Sequence, residues 1–210
     1  AAQADEMEWG QVNTPSWEDM VILPESDIVD YAVGGDEGDI IYAVLELKSQ
    51  CTEVGYDFED DDWYDSIWAV VMSNDGGVTW SDITANVVEA SSIPFDPDDI
   101  LRLCLVATAP DNEDWVAVAG YVAPAAIGAD AGGAHAVAFV VASEDGGSNF
   151  TYAHDVEVNG NWMINIMDMA ISPAVGDIYN IALAGRAEND GFTPAHGEGA
   201  LYRPEAGTWL

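Results

Sequence analysis

Positive charge is almost missing from this sequence. Of 210 residues only four are Lys or Arg: Lys48, Arg102, Arg186 and Arg203. They face 39 Asp and Glu, and the formal net charge is -35. A surface so acidic repels phosphate backbones and anionic headgroups, which excludes nucleic acid and anionic membranes as partners. Two cysteines, Cys51 and Cys104, are too few for a disulfide scaffold. No apolar run reaches the roughly 18 to 20 residues of a membrane span. The longest, 134–142, contains His135. A Gly-x-Ser-x-Gly elbow is absent, and so is a Gly-rich phosphate loop followed by Lys. His135, His154 and His196 are scattered without metal-ligand spacing and read as ordinary surface or strand residues.

Apolar residues make up 49% of the chain, enough for a core. They fall in short runs rich in Val, Ile, Ala, Tyr and Trp: 28–33, 40–47, 67–72, 100–108, 115–121, 134–142, 162–171 and 178–184. Gly, Pro, Asp and Asn separate them, as between strands. No segment carries a capped 3.6-residue period, so the expected class is all-β. Most acids lie between the runs, on loops. The small residues Ala1-Ala2-Gln3-Ala4 resemble the neighbourhood of an export cleavage site. The chain therefore reads as an exported product; a short N-terminal tail is the plainer alternative.

One segment recurs. Ser73-Asn74-Asp75-Gly76-Gly77-Val78-Thr79-Trp80 returns 70 residues later as Ser143-Glu144-Asp145-Gly146-Gly147-Ser148-Asn149-Phe150. Each copy follows an apolar run, and two more runs precede it. A third, looser round spans 162–209 and ends at Gly207-Thr208-Trp209. Repeats of about four strands suggest β-propeller blades, because a lone blade must stack on neighbours to bury its faces. The division is a tail over 1–16, blade one over 17–98, blade two over 99–160 and an incomplete blade three over 161–210. Propellers have about four blades or more. The remaining blades are therefore expected from a longer polypeptide or from another chain. A β-sandwich with similar hairpins is the competing architecture.

Ser73-x-Asp75-x-Gly77-x-Thr79-Trp80 resembles the Asp-box, or bacterial neuraminidase repeat, at every defined position. The second copy keeps Ser143, Asp145, Gly147 and Phe150, but Asn149 stands where the pattern has Thr. The resemblance implies structural roles. Ser and Asp bond a tight turn, Gly supplies left-handed dihedrals, and Trp80 or Phe150 packs between sheets. The rhythm of 27–33 and 39–44 resembles acidic surface-layer-type proteins that carry such propellers.

Asp-box propellers include sialidases, which hold a carboxylate with three arginines. This chain has three arginines in all, and Arg203-Pro204 lies at the wrong end of the series for the sialidase arginine–proline motif. General glycoside hydrolysis needs only a carboxylate pair. Asp30 and Asp168, in or beside the first strands of their blades, are the candidates; backbone or water partners are the plainer reading. Asp57, Asp60, Asp61, Asp62 and Asp65 crowd one stretch whose oxygens suit Ca²⁺. A solvated acidic loop is the alternative there. Cys51 and Cys104 are either one disulfide or two free thiols. Asn149-Phe150-Thr151 is an N-glycosylation acceptor pattern, set against a turn role for Asn149.

The function expected is a non-catalytic extracellular structural protein of a cell-surface layer or assembly. Its partners are copies of itself, other surface proteins, or glycans. The alternative is a secreted carbohydrate-active propeller, glycan-binding or hydrolytic.

Overall fold

The computed structural model describes residues 16–17, 20–21, 27–35, 38–48, 66–90, 100–123, 137–158, 161–176, 178–187, 198–203 and 208–209. The fold is all-β. After the short pair β1 (Ser16–Trp17) and β2 (Met20–Val21), three antiparallel sheets follow one another along the chain. Sheet 1 is β3 (Asp27–Gly34), β4 (Ile40–Lys48), β5 (Ser66–Ser73) and β6 (Ser81–Asp82). Sheet 2 is β7 (Ile100–Ala109), β8 (Asn112–Ala123), β9 (Val137–Ser143) and β10 (Thr151–Asp155). Sheet 3 orders β11 (Glu157–Val158), β12 (Asn161–Ile171), β13 (Ile181–Ala187), β14 (Glu198–Arg203) and β15 (Thr208–Trp209). Sequence neighbours pair throughout, so every sheet is a meander.

The sheets stack face to face with sheet 2 in the middle. Trp115 to Gly120 are all buried, which leaves β8 no solvent face. One core lies between sheets 1 and 2 and contains Tyr42, Val44, Val70, Leu103, Val106, Val116, Val118 and Phe139. A second lies between sheets 2 and 3. There Ala107, Ala117, Ala119 and Ala138 receive Ile166, Met169, Ile171, Ile181 and Leu183. Ala43, Leu45, Ala69 and Val71 are buried on the far side of sheet 1.

The first long strands β3, β7 and β12 lie side by side at the stacked edges. Each carries a bulge at a matching place, beside Val29, Cys104 and Met167. The extra residue turns the following side chain to the other face. At Gly120 the neighbouring strands β7 and β9 leave no room for a side chain. A Cβ there would sit 2.5 Å from the Arg102 carbonyl oxygen and 2.9 Å from the Phe139 ring. Glycine lets that ring cross β8.

Two local expectations are corrected. A helix, α1, spans Thr84–Ala90, with Val87 buried. At seven residues it is too short to display a period. Asp82 Oδ1 accepts from the Thr84 amide at its start. The Thr84 hydroxyl in turn accepts from the Val70 amide and so extends the ladder along β5. The strand expected over 178–184 begins later, at Ile181. Ile178 instead closes a small turn through a bridge to Val175.

Candidate functional site

Both repeated turns fold around one serine and one aspartate. In the first, Ser73 Oγ donates to Asp75 Oδ1 at 2.8 Å and accepts from the Gly77 amide at 2.8 Å. Asp75 Oδ1 accepts from the amides of Val78 at 3.0 Å and Thr79 at 2.8 Å. Asp75 Oδ2 accepts from the Thr79 hydroxyl at 2.7 Å. Trp80 Nε1 donates to the Gly77 carbonyl. Gly76 and Gly77 take φ of 69° and 86°, a region costly to residues with a Cβ.

The second turn repeats the serine and aspartate bonds, including where the sequence departs at Asn149, but Phe150 has no donor to match Trp80 Nε1. Ser143 Oγ accepts from the Gly147 amide at 2.9 Å and donates to Asp145 Oδ1 at 2.8 Å. The Asn149 amide donates to Asp145 Oδ1 at 2.8 Å. Asn149 Nδ2 donates to Asp145 Oδ2 at 2.6 Å, in the place of the threonine hydroxyl. Each turn is also tied to the first hairpin of its own sheet. The Gly76 amide donates to the Asp39 carbonyl, and the Gly146 amide to the Asp114 carbonyl.

These bonds set the charge state. The Thr79 amide and hydroxyl, with help from Ser73 and Val78, hold the Asp75 carboxyl down at about 2. Asn149, through side chain and backbone, lowers Asp145 in the same way. A carboxyl so stabilised as an anion, with both oxygens occupied, is a poor general acid and a poor base.

The second turn lies at the seam between sheets 1 and 2, where Phe150 packs, while Trp80 of the first packs on the far side of sheet 1. Tyr42, fully buried, donates its hydroxyl to the Glu113 carbonyl at 3.2 Å. Burial, then the nearby charges of Asp114, Glu113 and Asp145, push it up to about 12. Asn86 of α1 donates to the Gly147 carbonyl at 2.9 Å. A shallow cleft of about 240 Å³ lies beside this contact, lined by Asn86, Glu89, Ala90, Ser148, Asn149 and Phe150.

Asp30 and Asp168 occupy matching register positions, opposite Val44 and Ala184. They do not share a site. Asp30 Oδ2 accepts from the Val106 amide at 2.9 Å, bridging sheets 1 and 2. Asp168 is exposed on sheet 3, and its Oδ1 accepts from the Met169 amide. The stacked sheets stand between them, so they cannot flank one glycosidic bond. The cross-sheet role of Asp30 had no signal in the sequence, since its partner lies 76 residues away.

Cys104 is a free, buried thiol whose Sγ donates to the Ala119 carbonyl at 3.3 Å. Burial pushes it up to about 12. Cys51 lies outside the described residues. So do the acidic stretch 57–65 with Asp57, Asp60, Asp61, Asp62 and Asp65, and His135 and His196. Among the described residues no group of three or more His, Cys, Asp or Glu is placed to hold a metal. Nor, among them, is any helix long and apolar enough to cross a membrane. The Arg102 guanidinium lies 5.3 Å from the centre of the Trp68 ring, a cation–π contact between sheets.

No family model and no curated protein matches the chain. Solved structures similar to it include these two. One is a protein of unknown function from Dyadobacter fermentans, at 16% identity and a TM-score of 0.41, over 90% of this chain and 58% of that one. The other is the GH74 enzyme of Niastella koreensis, at 13% identity and a TM-score of 0.30, over 87% of this chain and 29% of that one. The chain thus spans less than two thirds of either. Likenesses this distant carry no argument about function.

Proposed function

We propose that the chain is a non-catalytic structural module of an extracellular or cell-surface assembly, built of Asp-box β-propeller blades. One observation carries the reading. In both repeated turns the chemically suggestive carboxylate is bonded by backbone amides and a side chain of its own turn, and the turn is tied to the hairpin beside it. The motif holds strands in place, and each carboxylate oxygen is already bonded inside its turn. Three successive meanders, stacked with their first strands together, support the propeller half of the proposal. The net charge of -35 suits a surface exposed to salt and divalent cations.

The test has two arms. Antibody labelling and fractionation of the source cells should find the protein at the surface or in the medium. Purified protein should show no turnover on a panel of glycosides, sialosides and β-glucans. Turnover that disappears in Asp168→Asn, or a wholly intracellular location, overturns the proposal. The acids at 57–65 are where this reading places Ca²⁺. Melting with Ca²⁺ against EDTA, at matched ionic strength, should show a higher midpoint with Ca²⁺.

A further inference from the structure

The three sheets present the same face in the same direction. Strand register places Asp30, Ala32, Tyr42 and Val44 of sheet 1 at the positions of Leu105, Ala107, Ala117 and Ala119 in sheet 2. In sheet 3 the same positions hold Asp168, Ala170, Ala182 and Ala184. On sheet 1 this face is covered by sheet 2: Tyr42 and Val44 are buried, and Asp30 bonds the Val106 amide. On sheet 2 it is covered by sheet 3: Ala107, Ala117 and Ala119 are buried. On sheet 3 it is bare, and Asp168, Ala170, Ala182 and Ala184 are all exposed.

Along the first strands the opposite faces follow the same rule, whereas on β4 and β5 of sheet 1 that face is already buried at Ala43, Leu45, Ala69 and Val71. On sheet 2, Leu103, Val106 and Thr108 of the first strand turn toward sheet 1. Their register equivalents on β3 are Ile28, Tyr31 and Val33. These are large apolar residues, yet they are 41%, 66% and 50% exposed. The chain therefore carries an uncovered receiving face at one end of the stack. At the other end it carries an uncovered strand of the kind that such a face receives.

We propose that this pair of surfaces binds a second copy of the chain, with β3 of one copy laid on the alanine face of sheet 3 in the other. Ile28, Tyr31 and Val33 then fill the places that Leu103, Val106 and Thr108 fill in the existing seam. Asp168 meets the Tyr31 amide of the neighbour as Asp30 meets that of Val106. Along the first strand the contact continues a packing the fold already makes twice, β3 on β7 and β7 on β12, which is the argument for a copy of this chain as occupant. It is heterologous, since two different surfaces meet. The inference rests on the propeller part of the proposed function, but its test reads neither activity nor location.

The test is the mass in solution, by light scattering, across a range of protein and salt concentrations. High salt is needed because two chains of charge -35 repel each other. The expected species has twice the 22.4 kDa of one chain. Tyr31→Glu and Ala184→Glu change exposed positions, so each variant should fold, as circular dichroism would check, yet remain monomeric. Mixed together they regain one intact pair of surfaces and should form a 1:1 complex. A wild-type chain that stays monomeric at every salt and protein concentration overturns the proposal. So does a dimer that survives both substitutions. Either result leaves glycoside turnover and cell location to be judged on their own.

Discussion

The two seams of the stack solve the same packing problem in different ways. Between sheets 1 and 2 both sides are bulky, with Tyr42, Val44 and Val70 against Leu103, Val106, Val118 and Phe139. Polar ties cross it at Tyr42, Asp30 and Asn86. Between sheets 2 and 3 the sheet 2 side is rich in alanine, with Trp115 and Val140 among Ala107, Ala109, Ala117, Ala119 and Ala138, and Ile, Leu and Met from the other side fill the space. Its polar ties are the Ile166 amide to the Tyr121 hydroxyl and the Ala174 amide to Asp111 Oδ2 at 3.0 Å. Trp115 and Tyr179 add a ring contact at 4.9 Å. The first seam keeps its shape by interlocking large groups. The second depends on small groups staying small.

That difference predicts opposite sensitivities. Phe139→Ala in the first seam should leave a cavity and cost about 3–5 kcal/mol. Ala119→Leu in the second should overpack it and cost about 1–3 kcal/mol. Denaturant melts of both, with Ala119→Gly as a small-side control, would check the contrast. If Phe139→Ala proved the milder change, the contrast would be wrong.

The two turns are nearer to equivalent. Ser73→Ala and Ser143→Ala each remove an acceptor from a buried glycine amide, an expected loss of about 1–3 kcal/mol apiece. The same melts would show whether the losses match.

Titration separates seam from turns. Tyr42 is raised to about 12 in the fold, against an ordinary value of about 10. Its contribution is therefore complete below pH ~10 and is lost as pH climbs toward 12. Tyr42→Phe should flatten that alkaline loss. Asp75 runs the other way. Its folded value of about 2 lies under the ordinary ~4, so its contribution is present above ~4 and disappears as pH falls toward 2. Asp75→Asn should weaken the acid transition, read as the thermal midpoint against pH.

The smallest effect is expected for Asn149→Thr. It restores the hydroxyl found at Thr79 and should change stability by no more than about 0.5 kcal/mol. A larger shift would show that the two turns are not interchangeable.

Much of this architecture was legible because it is local. The turn bonds join residues two to four apart, so Ser-x-Asp-x-Gly specifies its own loop without help from elsewhere. Asn149 illustrates the limit. As a letter it departs from the motif, while its amide nitrogen occupies the position of the threonine hydroxyl. Strands over 28–33, 40–47, 67–72 and 100–108 could be read from composition and breakers alone. Helix α1 could not, because seven residues hold no full pattern and its position depends on the bond from Val70 to Thr84.

The sequence by itself determined the all-β class, the order of the strands and the two aspartate turns, all set by neighbours along the chain. Only the tertiary structure decided which face of each sheet is buried. Sheet 2 is covered on both sides, so β8 runs apolar from Trp115 to Ala119 without the alternation that would reveal an inside and an outside. The bulges beside Val29, Cys104 and Met167 then shift the pattern along each first strand. The bond between Asp30 and Val106 and the alanine seam depend on stacking between segments far apart in sequence. Those contacts form only when the sheets meet, so no local pattern records them.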